Sequence, residues 1–333
     1  MRIRRSSAAW STATAYFDSN VYGYIQRTGT ARKVRSFLNA AHVRVWASDA
    51  NLFEALRIDD EIERVARMKV IRGVAAEKLT VQRAYVEARQ LLAEIRRCRP
   101  QWLSPNPDLR TAARFRREFA RAWTTLREDP AYRPATAYGK YSRTVRHGVG
   151  AAMAQQKQMR GFKLRTDQVK QHNQLQLTPA FDDLQAVIDQ MSFDEAWCRT
   201  SAAFTWLQAL NGDPSLRDLA DYLVPYLTHI ATTIEWLTFW LTEIDLRTVP
   251  YSQIASRVAW AQPSRPVTAG NTGDVEHATY FLDYDHFLTG DRDFHRTLKG
   301  ITDTYYADRK PPAFVDVRNP DVIEEFRTTI GAS

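Results

Sequence analysis

The sequence predicts an α/β protein whose parallel sheet is split by a large all-helical insertion. Three observations carry this. Residues 14–60 alternate β-type and helical runs, the strand signal disappears from about 61 to 250, and the alternation returns after 260. Each outer piece alone is too small to cover a parallel sheet. They are therefore expected to pair into one discontinuous domain, 14–60 with 261–333, while 61–260 forms a helical, basic insertion domain.

The elements follow in order. The run "TAYFD" alternates as a strand, and "NVYGYIQR" and "TARKVRSFLNAA" carry helical spacing. "VRVWAS" is a second β-rich run, and "DANLFEALRI" reads as the helix behind it. From Glu61, "EIERVARMKVIRGVAAEKLTVQRAYVEARQLLAEIRR" places apolar residues three and four apart for about ten turns. "DLRTAARFRREFARAWTTL", "FDEAWCRTSAAFTWLQAL" and residues 219–246 obey the same rule. The loop "AQPSRPVTAGNTG" marks a boundary with its Pro, Gly, Ser and Asn. Beyond it come a helix in "GDVEHATYFL", a strand in "HFLTG", a helix in "DFHRTLKGI", a strand in "AFVDV" and a capped final helix in "NPDVIEEFRTTI".

With 333 residues the chain can bury a substantial core. Its two cysteines, Cys98 and Cys198, offer neither metal-ligand spacing nor a disulfide framework, which suits a reducing, cytoplasmic setting. Ser, Thr and Trp interrupt the basic amino terminus where a secretory signal needs an apolar run. The most apolar stretch, 219–246, contains Asp221, Glu235, Glu243 and Asp245, so a soluble protein with no membrane partner is expected.

Charge is distributed unevenly. Residues 1–60 carry a net +4, residues 61–170 a net +15 and residues 171–333 a net −11. A basic block of that size is the electrostatic footprint of a polyanion partner, and nucleic acid is the usual one. Within it, "RFRREFARAW" and "KYSRTVRHGVGAAMAQQKQMRGFKLR" combine cations with aromatics and glycines that can follow a phosphate backbone. The candidate nucleic-acid contacts are Arg114, Arg116, Arg117, Arg121, Lys140, Arg143, Arg146, Lys157, Arg160, Lys163 and Arg165.

The acids of the outer pieces cluster by topology. Asp18 ends the first strand, Glu54 lies about a helical turn beyond the second, Asp274 opens a helix and Asp291 follows a late strand. In parallel α/β sheets, groups just past the strand carboxyl ends share one edge. Ionised carboxylates gathered there repel one another unless a cation neutralises them, and oxygen donors select Mg2+ or Mn2+. Such ions can activate water against a phosphodiester. His277 and His295 are expected to serve local structure instead.

Four stretches, "YFDSNVY", "VWASDANLFEAL", "GDVEHATYFL" and "FLTGDRDF", resemble the PIN-domain nucleases, which include toxins of bacterial toxin-antitoxin pairs. The resemblance covers roughly 14–60 and 264–330. It implies a PIN-like sheet domain in which Asp18, Glu54, Asp274 and Asp291 are the catalytic, metal-binding acids. Asp293 would be an auxiliary metal ligand, and Asn20, Ser48 and Thr289 would be hydrogen-bonding supports. Glu54 and Asp274 are 220 positions apart, far more than small members of that family need. The expected activity is metal-dependent endoribonuclease hydrolysis with RNA as substrate, and a toxin or phage-defence role follows by analogy. The alternatives are a structure-specific or single-strand DNA nuclease and a catalytically silent RNA- or protein-binding scaffold. A homo-oligomer and an inhibitor or activating protein complete the expected partners.

Overall fold

The computed structural model describes residues 12–75, 81–129, 131, 154, 157, 182–228, 231–262 and 273–331. The chain falls into two compact units, Met1–Thr80 with Tyr280–Ser333, and Val81–Thr279.

The first unit is built on a four-stranded, all-parallel sheet. Strand β1 (Ala13–Phe17) leads into helices α1 (Ser19–Thr28) and α2 (Ala31–Ala40), and β2 (Val43–Trp46) into α3 (Asp49–Leu56) and α4 (Glu61–Val74). The later segment supplies β3 (His286–Thr289), a helix over Arg292–Tyr305, β4 (Ala313–Phe314) and a helix over Val322–Ile330. The order is β2-β1-β3-β4, with Ala15 opposite both Val45 and His286. Strand β1 is therefore central and buries both faces, as parallel sheets do. Tyr16 stacks between Tyr280 and Phe287 at 5.0 and 5.3 Å, while Phe17 meets Phe326 at 5.2 Å and Tyr22 at 5.9 Å.

Local chemistry explains the helix ends. Asp18 caps α1, and Gly29 closes it in the left-handed region at φ 64°, where a side chain would be strained. Ser48 and Asn51 form a reciprocal capping box at α3, and Asp60 caps α4. Two expected strands are shorter than their β-type runs. The capping Ser48 stops β2 at Trp46, and of "AFVDV" only Ala313 and Phe314 form the strand, with the Val315 amide donating to the Thr289 carbonyl at 2.9 Å.

His286 and His295 lie in this unit, and both have pKa values below the ordinary histidine range. Burial is the main cause for each, with the neighbouring Lys310 charge adding to it at His286. Their protons bind more tightly to the unfolded chain, so the stability they contribute is complete above about pH 6.5 and is lost as pH falls. The Nε2 of His295 lies 3.1 Å from the Pro312 carbonyl. His295→Gln should flatten the decline in melting temperature between about pH 6.5 and 5. A wild-type slope in the variant would rule out this contribution.

The second unit is helical among the described residues apart from an antiparallel bridge, Leu103 to Leu227. It contains α5 (Arg83–Cys98), α6 (Leu109–Glu128), α7 (Asp182–Ile188), α8 (Phe193–Leu210), α9 (Arg217–Leu223), α10 (Thr233–Thr238), α11 (Pro250–Ala261) and α12 (Asp274–Thr279). The two late helices of the first unit are accordingly α13 (Arg292–Tyr305) and α14 (Val322–Ile330). The core gathers Leu91, Ile95, Trp102, Trp206, Trp236, Phe239 and Trp240. In the same unit the buried Arg83 guanidinium meets Glu87 at 3.0 Å, and Glu87 also accepts the Ser252 hydroxyl at 2.9 Å.

Three helical expectations change. The long run from Glu61 is two helices, because α4 ends at Val74 with Ala75 in extended backbone. Residues 219–246 break into short pieces at Pro225, and α10 continues as a π-turn over Phe239–Glu243. The sequence boundary near 60 differs from the structural division, since α4 packs on α1, α2 and α3 within the first unit. Residues 261–279 are grouped with the second unit.

Candidate active site

Strand β1 lies between β2, reached by the first crossover, and β3 from the distant segment. Chain direction away from β1 reverses there, which makes the β1/β3 carboxyl edge the switch point where α/β sheets place their ligands. Asp18 sits at that point, buried at 2 % exposure. Its Oδ1 accepts the backbone N–H groups of Asn20 at 3.0 Å and Val21 at 3.1 Å. Its Oδ2 accepts the Thr289 hydroxyl from the end of β3, and its own amide donates to the Leu288 carbonyl at 3.0 Å. The α1 dipole adds to these donors, and together they hold the carboxylate in one orientation.

Thr289 also joins Asp18 to Asp291. The buried Thr289 Oγ1 accepts the Asp291 amide at 3.0 Å while donating to Asp18. Asp291 caps α13, its Oδ1 accepting from Phe294 N–H at 2.8 Å. Asp293 stands in the exposed first turn of α13 and pairs with Arg296 at 3.2 Å. Gly290 permits this geometry through close approach, not through an unusual φ. A Cβ there would stand 2.5 Å from Val317 Cγ1 and 3.2 Å from the Asn20 Cβ. Gly290→Ala should cost about 1–3 kcal/mol in a denaturant titration, the range for overpacking. Wild-type stability would mean that Val317 and Asn20 move aside freely.

On the β2 side, Ser48 is fully buried and its hydroxyl lies 2.7 Å from the Tyr16 hydroxyl. Burial pushes the Tyr16 phenol well above its ordinary range, opposed by the Ser48 hydrogen bond, so Tyr16 remains neutral. Asn51 of α3 donates to the Phe17 carbonyl at 3.0 Å and approaches the Ser19 hydroxyl at 3.4 Å, fixing α3 beside Asp18. Glu54, a turn further on, is half-buried.

Sequence reasoning passed over two charged groups here. Asp49 is buried next to the capping Ser48, and its Oδ1 accepts the Tyr280 hydroxyl at 2.7 Å. Its place one residue into the helix was the available signal. Arg67 of α4 donates to the Ser19 carbonyl at 3.3 Å and to Gln26, within electrostatic reach of Glu63 and Glu54. Burial lowers its pKa, and Glu63 opposes that shift. Helical period alone had placed it in the insertion.

The remaining assigned residues belong to the second unit or fall outside the described residues. Asp274 is buried at the start of α12 in the second unit. Arg114, Arg116, Arg117 and Arg121 are exposed on α6, and Lys157 is exposed as well. Lys140, Arg143, Arg146, Arg160, Lys163 and Arg165 lie outside the described residues. His277 is buried in α12.

The acids are hard oxygen donors of the kind Mg2+ or Mn2+ takes. As they stand, no group of three or more His, Cys, Asp or Glu side chains among the described residues could hold a metal ion. Among the same residues, no helix is long and apolar enough to cross a membrane. Compared with known proteins, the chain matches no family model, no curated protein and no solved structure.

Proposed function

We propose that the chain is a PIN-type, Mg2+- or Mn2+-dependent endoribonuclease whose acidic sheet edge hydrolyses phosphodiester bonds and whose basic helical segment binds RNA. One observation carries the reading. The carboxylate of Asp18 is oriented by three donors at the switch point of a parallel sheet, and Thr289 links it to Asp291. Carboxylates immobilised at such an edge suit a site for a hard cation and a phosphate ester, whereas a purely capping aspartate needs only its helix amides. Glu54, Asp274 and Asp291 take their catalytic and metal-binding assignments from the motif resemblance, as do Asp293 as auxiliary ligand and Asn20 and Ser48 as supports. A bound dication would supply a water of lowered pKa and neutralise phosphate charge. Its part in the reading rests on donor chemistry alone.

The lack of a ready-made metal group among the described residues favours a second reading, a catalytically silent PIN-like scaffold that binds RNA or a protein. One experiment separates the two. Wild type and Asp18→Asn are incubated with total RNA, transfer RNA and single-stranded DNA in Mn2+, Mg2+ or chelator. The nuclease reading expects metal-dependent RNA cleavage by wild type alone. No chelator-sensitive cleavage of any substrate favours the scaffold, and preference for single-stranded or flapped DNA makes the enzyme a DNA nuclease. Growth arrest on expression, relieved by Asp18→Asn, tests a toxin or phage-defence role.

A further inference from the structure

Helix α6 reads "LRTAARFRREFARAWTTLRE", with six arginines against two glutamates. At about 100° per residue, Arg110, Arg114, Arg117 and Arg121 fall within an arc of roughly 60°. Phe115 and Trp123 lie on the opposite side. Trp123 is buried at 6 % exposure, and the Phe115 ring meets Tyr222 edge-on at 6.2 Å. The apolar side thus seats the helix on its own unit and turns the stripe outward. All four stripe arginines are exposed.

Arg114 of the stripe lies over the Phe115 ring at 5.2 Å, and Arg116 differs from the four in its place on the helix. It projects from the side of α6 that Phe115 and Trp123 occupy, its guanidinium lies over the Tyr85 ring at 4.6 Å, and its Nη1 is 3.4 Å from the Tyr85 hydroxyl. That ring already engages it.

The acids near the stripe are few. Glu118 lies 3.8 Å from Arg114, and Asp221, paired with Arg217 at 3.5 Å, is within electrostatic reach of Arg114. Asp108 is occupied in capping α6, and Glu128 ends it. Among the described residues, Arg110, Arg117 and Arg121 have no ion-pair partner. A surface helix that is merely solvated gains from alternating charges at i,i+4, whereas like charges at that spacing destabilise it. The stripe therefore imposes a cost on the isolated helix that a polyanion would relieve.

We infer that this stripe is a phosphate-backbone track, holding a nucleic-acid strand along α6 through its phosphodiesters without reading its bases. The steps between successive arginines rise about 6, 4.5 and 6 Å, some 16 Å in all. That length spans about five phosphates of one strand at 3.4 Å axial spacing. Guanidinium forks match phosphate oxygens, and contacts confined to the backbone position a strand without specifying its sequence. The inference rests on the reading that this chain binds nucleic acid, and it deepens that reading by excluding Arg116 and adding Arg110.

Binding is measured by fluorescence anisotropy on the full chain in chelator, so that cleavage plays no part. The probes are labelled single-stranded RNA, single-stranded DNA and duplex, titrated across a salt series. Arg110→Gln/Arg117→Gln/Arg121→Gln should weaken binding about tenfold or more and reduce the slope of log affinity against log salt. The expected reduction is about 2 on a single strand and nearly 3 on a duplex. Arg116→Gln should change neither quantity, and the corresponding triple lysine variant should keep the wild-type slope. The probe with the largest loss identifies the strand carried. An unchanged slope on every probe, or an equal loss from Arg116→Gln, overturns the assignment. Failure of the nuclease reading appears separately, as missing cleavage with the salt slope intact.

Discussion

Asp18→Asn is expected to abolish metal-dependent cleavage, down to the level of the chelator control, while lowering the melting temperature by only a few degrees. The substitution keeps an oxygen for the Asn20 and Val21 amides, and Asn caps helices about as well as Asp. What it removes is the negative charge, together with the acceptor for the Thr289 hydroxyl. An orphaned buried donor costs about 1–3 kcal/mol, and Thr289 can limit that cost by turning its hydroxyl, which already receives the Asp291 amide. Loss of activity far beyond this small loss of stability would mark a chemical role. Full cleavage by Asp18→Asn would falsify the site assignment, and Asp18 would then be a helix cap alone. Asp274→Asn, measured in the same assay, tests the third of the four acids assigned by resemblance.

The largest effect on stability is expected from Trp236→Ala, about 3–5 kcal/mol, the range for emptying a buried aromatic site. Trp236 is 1 % exposed, its indole N–H donates to the Ala203 carbonyl at 3.0 Å, and its ring lies 5.9 Å from those of Trp102 and Phe239. For a unit of this size each kcal/mol moves the melting temperature by about 2–4 °C, so a drop near 10 °C should be visible by calorimetry. Trp240 supplies the contrast. It is just as buried, but its indole nitrogen has no hydrogen-bond partner, so Trp240→Phe should cost less than Trp236→Phe. Equal costs would mean that the Trp236 hydrogen bond contributes nothing net.

The helical tryptophans show where sequence reading is reliable. Phe and Leu recur around Trp197, Trp206, Trp236 and Trp240 at helical spacing, which favours core or an oligomer contact over base stacking; Trp206, Trp236 and Trp240 lie in the core of the second unit, and Trp197 is half-buried. The same rule misjudged continuity, because periodicity records which face is apolar and is silent about where backbone hydrogen bonding stops. Thus one uninterrupted apolar pattern from Glu61 covered two helices, and α4 was separated from α1, α2 and α3, on which it packs.

By itself the sequence determined the βα alternation at both ends and the helical middle. Those depend on side chains and backbone groups only a few residues apart. Tertiary structure alone decided that β1 is central, that Thr289 reaches Asp18 across 271 positions and that Tyr280 reaches Asp49 across 231. It also decided which arginines of α6 form one outward stripe and which is held on Tyr85. The physical reason is range. Caps and periods are fixed by local hydrogen bonding and side-chain direction, whereas strand order and long-range contacts depend on which surfaces bury one another once the chain has closed.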